Sequence, residues 1–172
     1  MRSVTPTLDW DFFLDHHSAS RAPMPRVPIR ERLRTAARVR RALRMLRTRG
    51  WVAACAYLQT LPPGAATARF ATLPDGEAIR LARREIFHCQ LIVRTTMPTA
   101  MCLPRSLALA VHLRTLGLPA HMTLARTLNT GRPQDTFHSW TELHGTVLND
   151  KQDIVLGFTV LQRIPAAATA LP

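Results

Sequence analysis

The sequence changes its period once, at Leu116-Gly117-Leu118-Pro119. Before that point apolar residues recur every three or four positions, the spacing of a helix face. Beyond it they alternate, the spacing of a strand. Glycine with a proline just after it stops a helix, so the boundary is sharp. Helices first and strands afterwards specify an α+β domain, a helical N-terminal half followed by a small antiparallel sheet.

Within the helical half, Ile29, Leu33, Ala36, Val39, Leu43 and Leu46 form one apolar stripe that begins after Pro28 and ends at Gly50. A second helix, "WVAACAYLQTL", runs to Pro62-Pro63-Gly64, and Asp75-Gly76 caps a third that Pro98 closes. The fourth is "CLPRSLALAVHLRT". Strand signals follow in "AHMTLARTL", "TFHSWTELHG" and "TVLND", and "DIVLGFTVLQRI" supplies one more before an alanine-rich tail. Residues 1–25, with Pro6, Pro23 and Pro25, read as a loose arm. A chain of 172 residues is long enough to bury a core without disulfides or metals.

The three cysteines, Cys55, Cys89 and Cys102, are too few and odd in number for a disulfide framework. No apolar run approaches the ~18 residues of a membrane span. The N-terminal "MRSVTPTLDWDFFLDHH" interrupts any signal-like stretch with acids and histidines, so a cytoplasmic protein without a membrane partner is expected. The formal net charge is +12, Lys151 is the only lysine, and ten arginines lie between Arg26 and Arg49. Such a helix favours anionic partners, although arginine in place of lysine also follows the base composition of a genome.

Cys102 stands where the fourth helix begins. A thiol there faces unpaired backbone N–H groups and the positive end of the helix dipole, an environment that lowers a cysteine pKa from about 8.5 to roughly 3.5–7.5. Pro104 fits the first turn, where its missing N–H costs nothing, and Arg105 adds a nearby cation. The placement suits a nucleophile, though cysteines without a role also begin helices. Cys55 and Cys89 lie among apolar neighbours and read as packed thiols.

Of seven histidines, His16 and His17 fall in the arm, His88 and His112 in mid-helix, His121 at a strand start and His144 beside a turn glycine. His138 is inside a strand, with Trp140 two residues on along the same face. A three-residue loop Leu143-His144-Gly145 would pair Glu142 with Thr146, Trp140 with Leu148, and His138 with Asp150. Opposed residues lie about 4.5–5.5 Å apart at Cβ, so Asp150 would orient the His138 ring toward Cys102. A two-residue loop would shift that register by one and weaken the pairing.

From Cys102 to Ile164 the chain resembles the leader peptidases of lasso peptide biosynthesis, transglutaminase-like cysteine proteases of bacteria. The resemblance is carried by "CLPRSLALAVHLRTLGLPA", "FHSW" and "GTVLNDKQDIVLGFTVL", in that order. It implies a transglutaminase/papain-like core over residues 76–172, with Cys102 as nucleophile, His138 as general base, Asp150 as carboxylate partner and no cofactor or metal. Residues 1–75 become a basic helical region available for partner docking. The implied partners are the leader region of a lasso precursor peptide and an ATP-dependent lasso cyclase. Relatives usually carry alanine where this chain has Ser139, a small change. Many also carry, or borrow, a winged-helix domain that grips the leader. Residues 1–75 show no convincing strand trio for one, so leader recognition is expected in trans or from a reduced version.

Three rivals remain. A nucleic-acid-binding protein would use the arginine helix, but neither a glycine-basic loop nor zinc-finger spacing accompanies it. A zinc site at Cys89, Cys102 and nearby histidines lacks any C-x-x-C or H-x-x-x-H pair. A transglutaminase-like acyltransferase with the same three residues is the nearest, because cleavage and transfer share one thioester.

Overall fold

The computed structural model of the chain describes residues 25–61, 68–128 and 137–165; the arm, the Pro62-Pro63-Gly64 turn and the alanine-rich tail lie outside the described residues. The order is α1 (Ile29–Gln59), α2 (Ala68–Ala71), α3 (Asp75–Thr96), α4 (Cys102–Thr115), β1 (His121–Thr127), β2 (Phe137–Leu143), β3 (Thr146–Val147), a 3₁₀ turn (Gln152–Leu156) and β4 (Phe158–Ile164). The strands form one antiparallel sheet of order β3-β2-β1-β4. This is the α+β arrangement that the change of period implies.

α4 is the centre. Every residue from Ser106 to Thr115 is buried, and α1, α3 and the sheet all pack on it. A helix apolar nearly all round belongs inside a fold, and two polar residues on it survive burial only because they are paired. Arg114, 2 % exposed, donates to three backbone carbonyls: Ala120 at 2.8 Å, Leu58 at 3.0 Å and Ile164 at 2.5 Å. Burial pulls its pKa down to about 10. His112 Nε2 lies 3.3 Å from the buried Glu85 carboxylate of α3, which Arg32 of α1 also reaches, at 3.4 Å. Arg84 and His88 stand 3.7 Å from the same group. Burial alone would raise the Glu85 pKa, but the His112 hydrogen bond and the surrounding positive charges outweigh it and the net shift is downward.

Two details differ from the sequence reading. The apolar stripe of α1 packs only from Thr35 and Val39 onward, since Ile29 and Leu33 are 69 % and 65 % exposed. Arg32 turns toward Glu85 there, and that rotation carries Leu33 outward. Asp75 does not cap α3: the helix starts at Asp75 itself, after Pro74, without a side-chain capping bond. Its carboxylate lies 3.2 Å from His144 Nδ1. Gly50 breaks α1 as expected, with φ 77° and ψ −174°, and the helix resumes in a new direction at Trp51.

Candidate active site

α4 begins at Cys102, with Met101 extended before it. The N–H groups of Cys102 and Leu103 lie in the turn that has no intrahelical acceptors, and Pro104 has no N–H to satisfy. The thiol, half-buried, therefore sits at the positive end of the most buried helix in the fold.

β2 carries the imidazole. His138, Trp140 and Glu142 face one side of the sheet, and Ser139, Thr141 and Leu143 face α4. β3 pairs only Leu143 with Thr146 and Glu142 with Val147, so it leaves most of the outer edge of β2 uncovered. Beyond β3 the Leu148 N–H donates to the Thr141 carbonyl at 2.9 Å, and side chains cover the remainder of that edge. Ser106 Oγ donates to the Ser139 carbonyl at 2.8 Å, the Thr141 N–H donates to Asn149 Oδ1 at 2.7 Å, and Asn149 Nδ2 donates to Ser106 Oγ at 3.0 Å.

The three-residue hairpin loop is not the one formed, and this corrects the register. His144 and Gly145 make a two-residue loop with φ 49° and 77°. Two consecutive positive φ values mark a primed turn, which matches the twist of the flanking strands. Asp150 is thus no strand partner of His138, yet it reaches the ring by another route. β3 stops at Val147, Asn149 plugs into the edge of β2, and Asp150 Oδ2 comes within 2.6 Å of His138 Nε2. Asp150 Oδ1 accepts from the Lys151 N–H at 2.8 Å, which pins the carboxylate.

With Nε2 taken by Asp150, Nδ1 remains for the thiol. The hydrogen bond with His138 lowers the Cys102 pKa and, against the opposing effect of burial, Ser139 lowers it further from both its hydroxyl and its backbone N–H. The bond with Cys102, and then that with Asp150, raise His138 to about 9 against burial. The two shifts agree, and the pair favours thiolate and imidazolium. By contrast, burial pushes Cys89 up to about 12 and raises Cys55. Among the described residues no group of three or more His, Cys, Asp or Glu side chains is disposed to hold a metal ion.

Trp140 is fully buried beside His138, with ring centroids 6.2 Å apart, and its indole N–H donates to Glu142 at 2.6 Å. Phe158, which the sequence did not single out, lies closer to the imidazole, at 5.3 Å. An aromatic face at that distance favours the charged ring. Its strand pairs with β1 across a long stretch of chain, and no local pattern announces that approach. Arg105 is exposed and lines a separate small cavity with Arg94 and Met97, away from the thiol. The cation beside Cys102 is His138, not Arg105.

Ser139 was also undervalued. The Ser106 hydroxyl proton is committed to the Ser139 carbonyl, so the hydroxyl proton of Ser139 has two acceptors: Ser106 Oγ at 3.3 Å, or the sulfur of Cys102. A thiolate is the stronger acceptor. The hydroxyl is a donor held ready for the charged form.

A profile of the transglutaminase-like superfamily matches residues 36–163, from within α1 through β4. The chain belongs to the transglutaminase-like superfamily. Its members are in general cysteine peptidases and acyltransferases. The superfamily match takes in Cys102, His138 and Asp150 together with the helix and strands that carry them. No curated protein and no solved structure matches the chain.

Proposed function

We propose that this member of the transglutaminase-like superfamily is a cysteine peptidase that removes the leader from a ribosomally made lasso peptide precursor. The observation that carries the reading is the convergence of Cys102, His138 and Asp150: the thiol and the imidazole line one cavity, the imidazole lowers the thiol pKa, and the Asp150 carboxylate holds the imidazole Nε2 at 2.6 Å. The motif order from "CLPRS" through "FHSW" to "LNDKQD" supports the narrower assignment. In this mechanism the Cys102 thiolate attacks the scissile carbonyl, and the oxyanion is met by the N–H groups at the start of α4. The His138 imidazolium protonates the leaving amine, and a thioester remains. His138 then takes a proton from water, which hydrolyses the thioester and frees the leader. Asp150 keeps the ring turned toward sulfur through both steps.

The leader is held by a recognition protein supplied in trans, and the freed core passes to an ATP-dependent cyclase. The arginine face of α1 serves these partners, with Arg40, Arg44 and Arg47 exposed along one concavity. The test is to incubate the purified protein with a lasso precursor peptide and a leader-recognition protein and to follow the products by mass spectrometry. Release of an intact core with a free amine, lost in Cys102→Ala, is the expected result. Transfer of the acyl group to an added amine in preference to water would favour the acyltransferase instead.

A further inference from the structure

Granting the peptidase reading above, we propose that the cavity beside Cys102 is a subsite for one bulky apolar side chain of the peptide, on the acyl side of the bond that is cut. The cavity has a volume of about 580 Å³ and shares its wall with Cys102 and His138. Trp51, Leu103, Leu124, Phe137 and Leu161 supply its large apolar side chains. A volume of that order is typical of a built small-ligand site.

Two breaks in regular structure aim side chains into this one space. Gly50, at φ 77°, redirects α1 so that Trp51 reaches the cavity from the helical layer. Across the sheet, Leu124 faces Gln162 and Ala125 faces Val160, so Leu161 is the extra residue of a β-bulge. Bulges re-aim a side chain, and they are common next to active sites. Leu161 and Phe137 are 55 % and 66 % exposed. Their apolar surface faces water around the same cavity until something covers it.

The lining also decides the chemistry of the occupant. It contains no Lys, Arg, Asp or Glu among the described residues, and its titratable groups, Cys102 and His138, are engaged with each other. A charged side chain would lose its water there without gaining a partner. The arginines lie elsewhere, around separate concavities on α1. Because the cavity opens at the sulfur, the side chain that fills it belongs to the residue whose carbonyl the sulfur attacks.

The experiment uses four chloromethyl ketones that differ only in side chain: N-acetyl-Phe, N-acetyl-Leu, N-acetyl-Ala and N-acetyl-Asp. In each, the Cys102 sulfur forms a bond to the probe methylene as chloride leaves. Iodoacetamide, which has no side chain to place, is the reference reagent for every protein tested. The Phe and Leu probes should alkylate Cys102 about tenfold or more faster than the Ala probe after that normalisation, and the Asp probe slowest of all. Leu161→Asp and Trp51→Ala, made separately, should bring the Phe-to-Ala ratio toward unity. Equal rates for the four probes in the unaltered protein, or a ratio unmoved by both substitutions, would overturn the subsite. If iodoacetamide itself labels Cys102 no faster than Cys55 and Cys89, the peptidase reading fails along with it.

Discussion

Two histidine–carboxylate pairs occupy this small fold, and they do opposite work. His138 and Asp150 approach to 2.6 Å with each side chain about a quarter exposed, at 25 % and 26 %. His112 and Glu85 stand 3.3 Å apart in the interior, at 1 % and 0 %. The difference lies in the third party. Asp150 backs an imidazole that faces an ionisable sulfur, so charge can be created and moved there. Glu85 is, among the described residues, the one carboxylate that faces Arg32, Arg84, His88 and His112, and these groups are held in place by the packing of three helices. The same two functional groups, an imidazole and a carboxylate, make a reactive pair in one place and a structural tie in the other.

The comparison is tested hardest at its reactive end. Cys102→Ala and His138→Ala should each lower precursor cleavage by roughly 10³-fold or more while the melting temperature holds, because among the described residues no second thiol or imidazole lines the cavity. Wild-type turnover in either variant would remove that residue from the reaction. Glu85→Ala should show the reverse. Breaking a buried cluster leaves cations unpaired at a cost of about 3–5 kcal/mol, read by denaturant unfolding, while Cys102 in the folded fraction still reacts with iodoacetamide. The pH dependence has a definite sign. The folded pKa of Glu85 lies below the ordinary value of 4.5, so its contribution to stability is present above that value and is lost as pH falls through the lower one. Glu85→Gln should remove that part of the acid limb of the stability curve.

At the site, the protonation states needed are thiolate and imidazolium. Activity should therefore fall at acid pH as Cys102 protonates and at alkaline pH near 9 as His138 loses its proton. Asp150→Asn should move the alkaline limb downward and cost roughly tenfold for each unit of support withdrawn, less than loss of the ring. Ser139→Ala should be milder still, about tenfold in Cys102 alkylation at neutral pH, the value of one hydrogen bond to a charged acceptor. Its signature is an acid limb moved to higher pH; an unmoved limb would leave Ser139 as packing only. The smallest effect concerns partners. Arg34 already pairs with Glu31 at 3.3 Å and Arg41 lies over the Tyr57 ring, so neither is the best choice for charge reversal. Arg40, Arg44 and Arg47 changed to Glu should weaken partner binding severalfold at low salt, and less as salt screens them. Unchanged affinity for precursor, recognition protein and cyclase would leave α1 as scaffold.

The sequence made the reactive pair legible and hid the structural one. Cys102 has a local signature, a thiol at a helix start before proline, and His138 and Asp150 follow on a strand and just after a turn. Even there the route was misjudged, because Asp150 arrives through the Asn149 plug and not through strand register. Glu85 and His112 sit on two different helices, and helical periodicity says nothing about which faces will meet. Periodicity likewise placed Ile29 and Leu33 on the apolar face of α1, but packing begins a turn later. The Leu161 bulge and the Phe158 approach depend on pairing between β1 and β4, whose sequences carry no mark of it.

The Arg114 clamp gives the fold an uneven tolerance of sequence drift. Its acceptors are the backbone carbonyls at Leu58, Ala120 and Ile164, and a carbonyl survives almost any change of side chain. Those three positions can vary in identity, within the limits of volume, and the clamp persists. Arg114 has no such latitude. Lysine lacks the planar fork that reaches three acceptors at once, and any shorter residue withdraws the shared donor from all three carbonyls together. One codon thus holds the end of α1, the entry to β1 and the end of β4 in a single grip. Random mutagenesis should find that codon among the least replaceable outside the site.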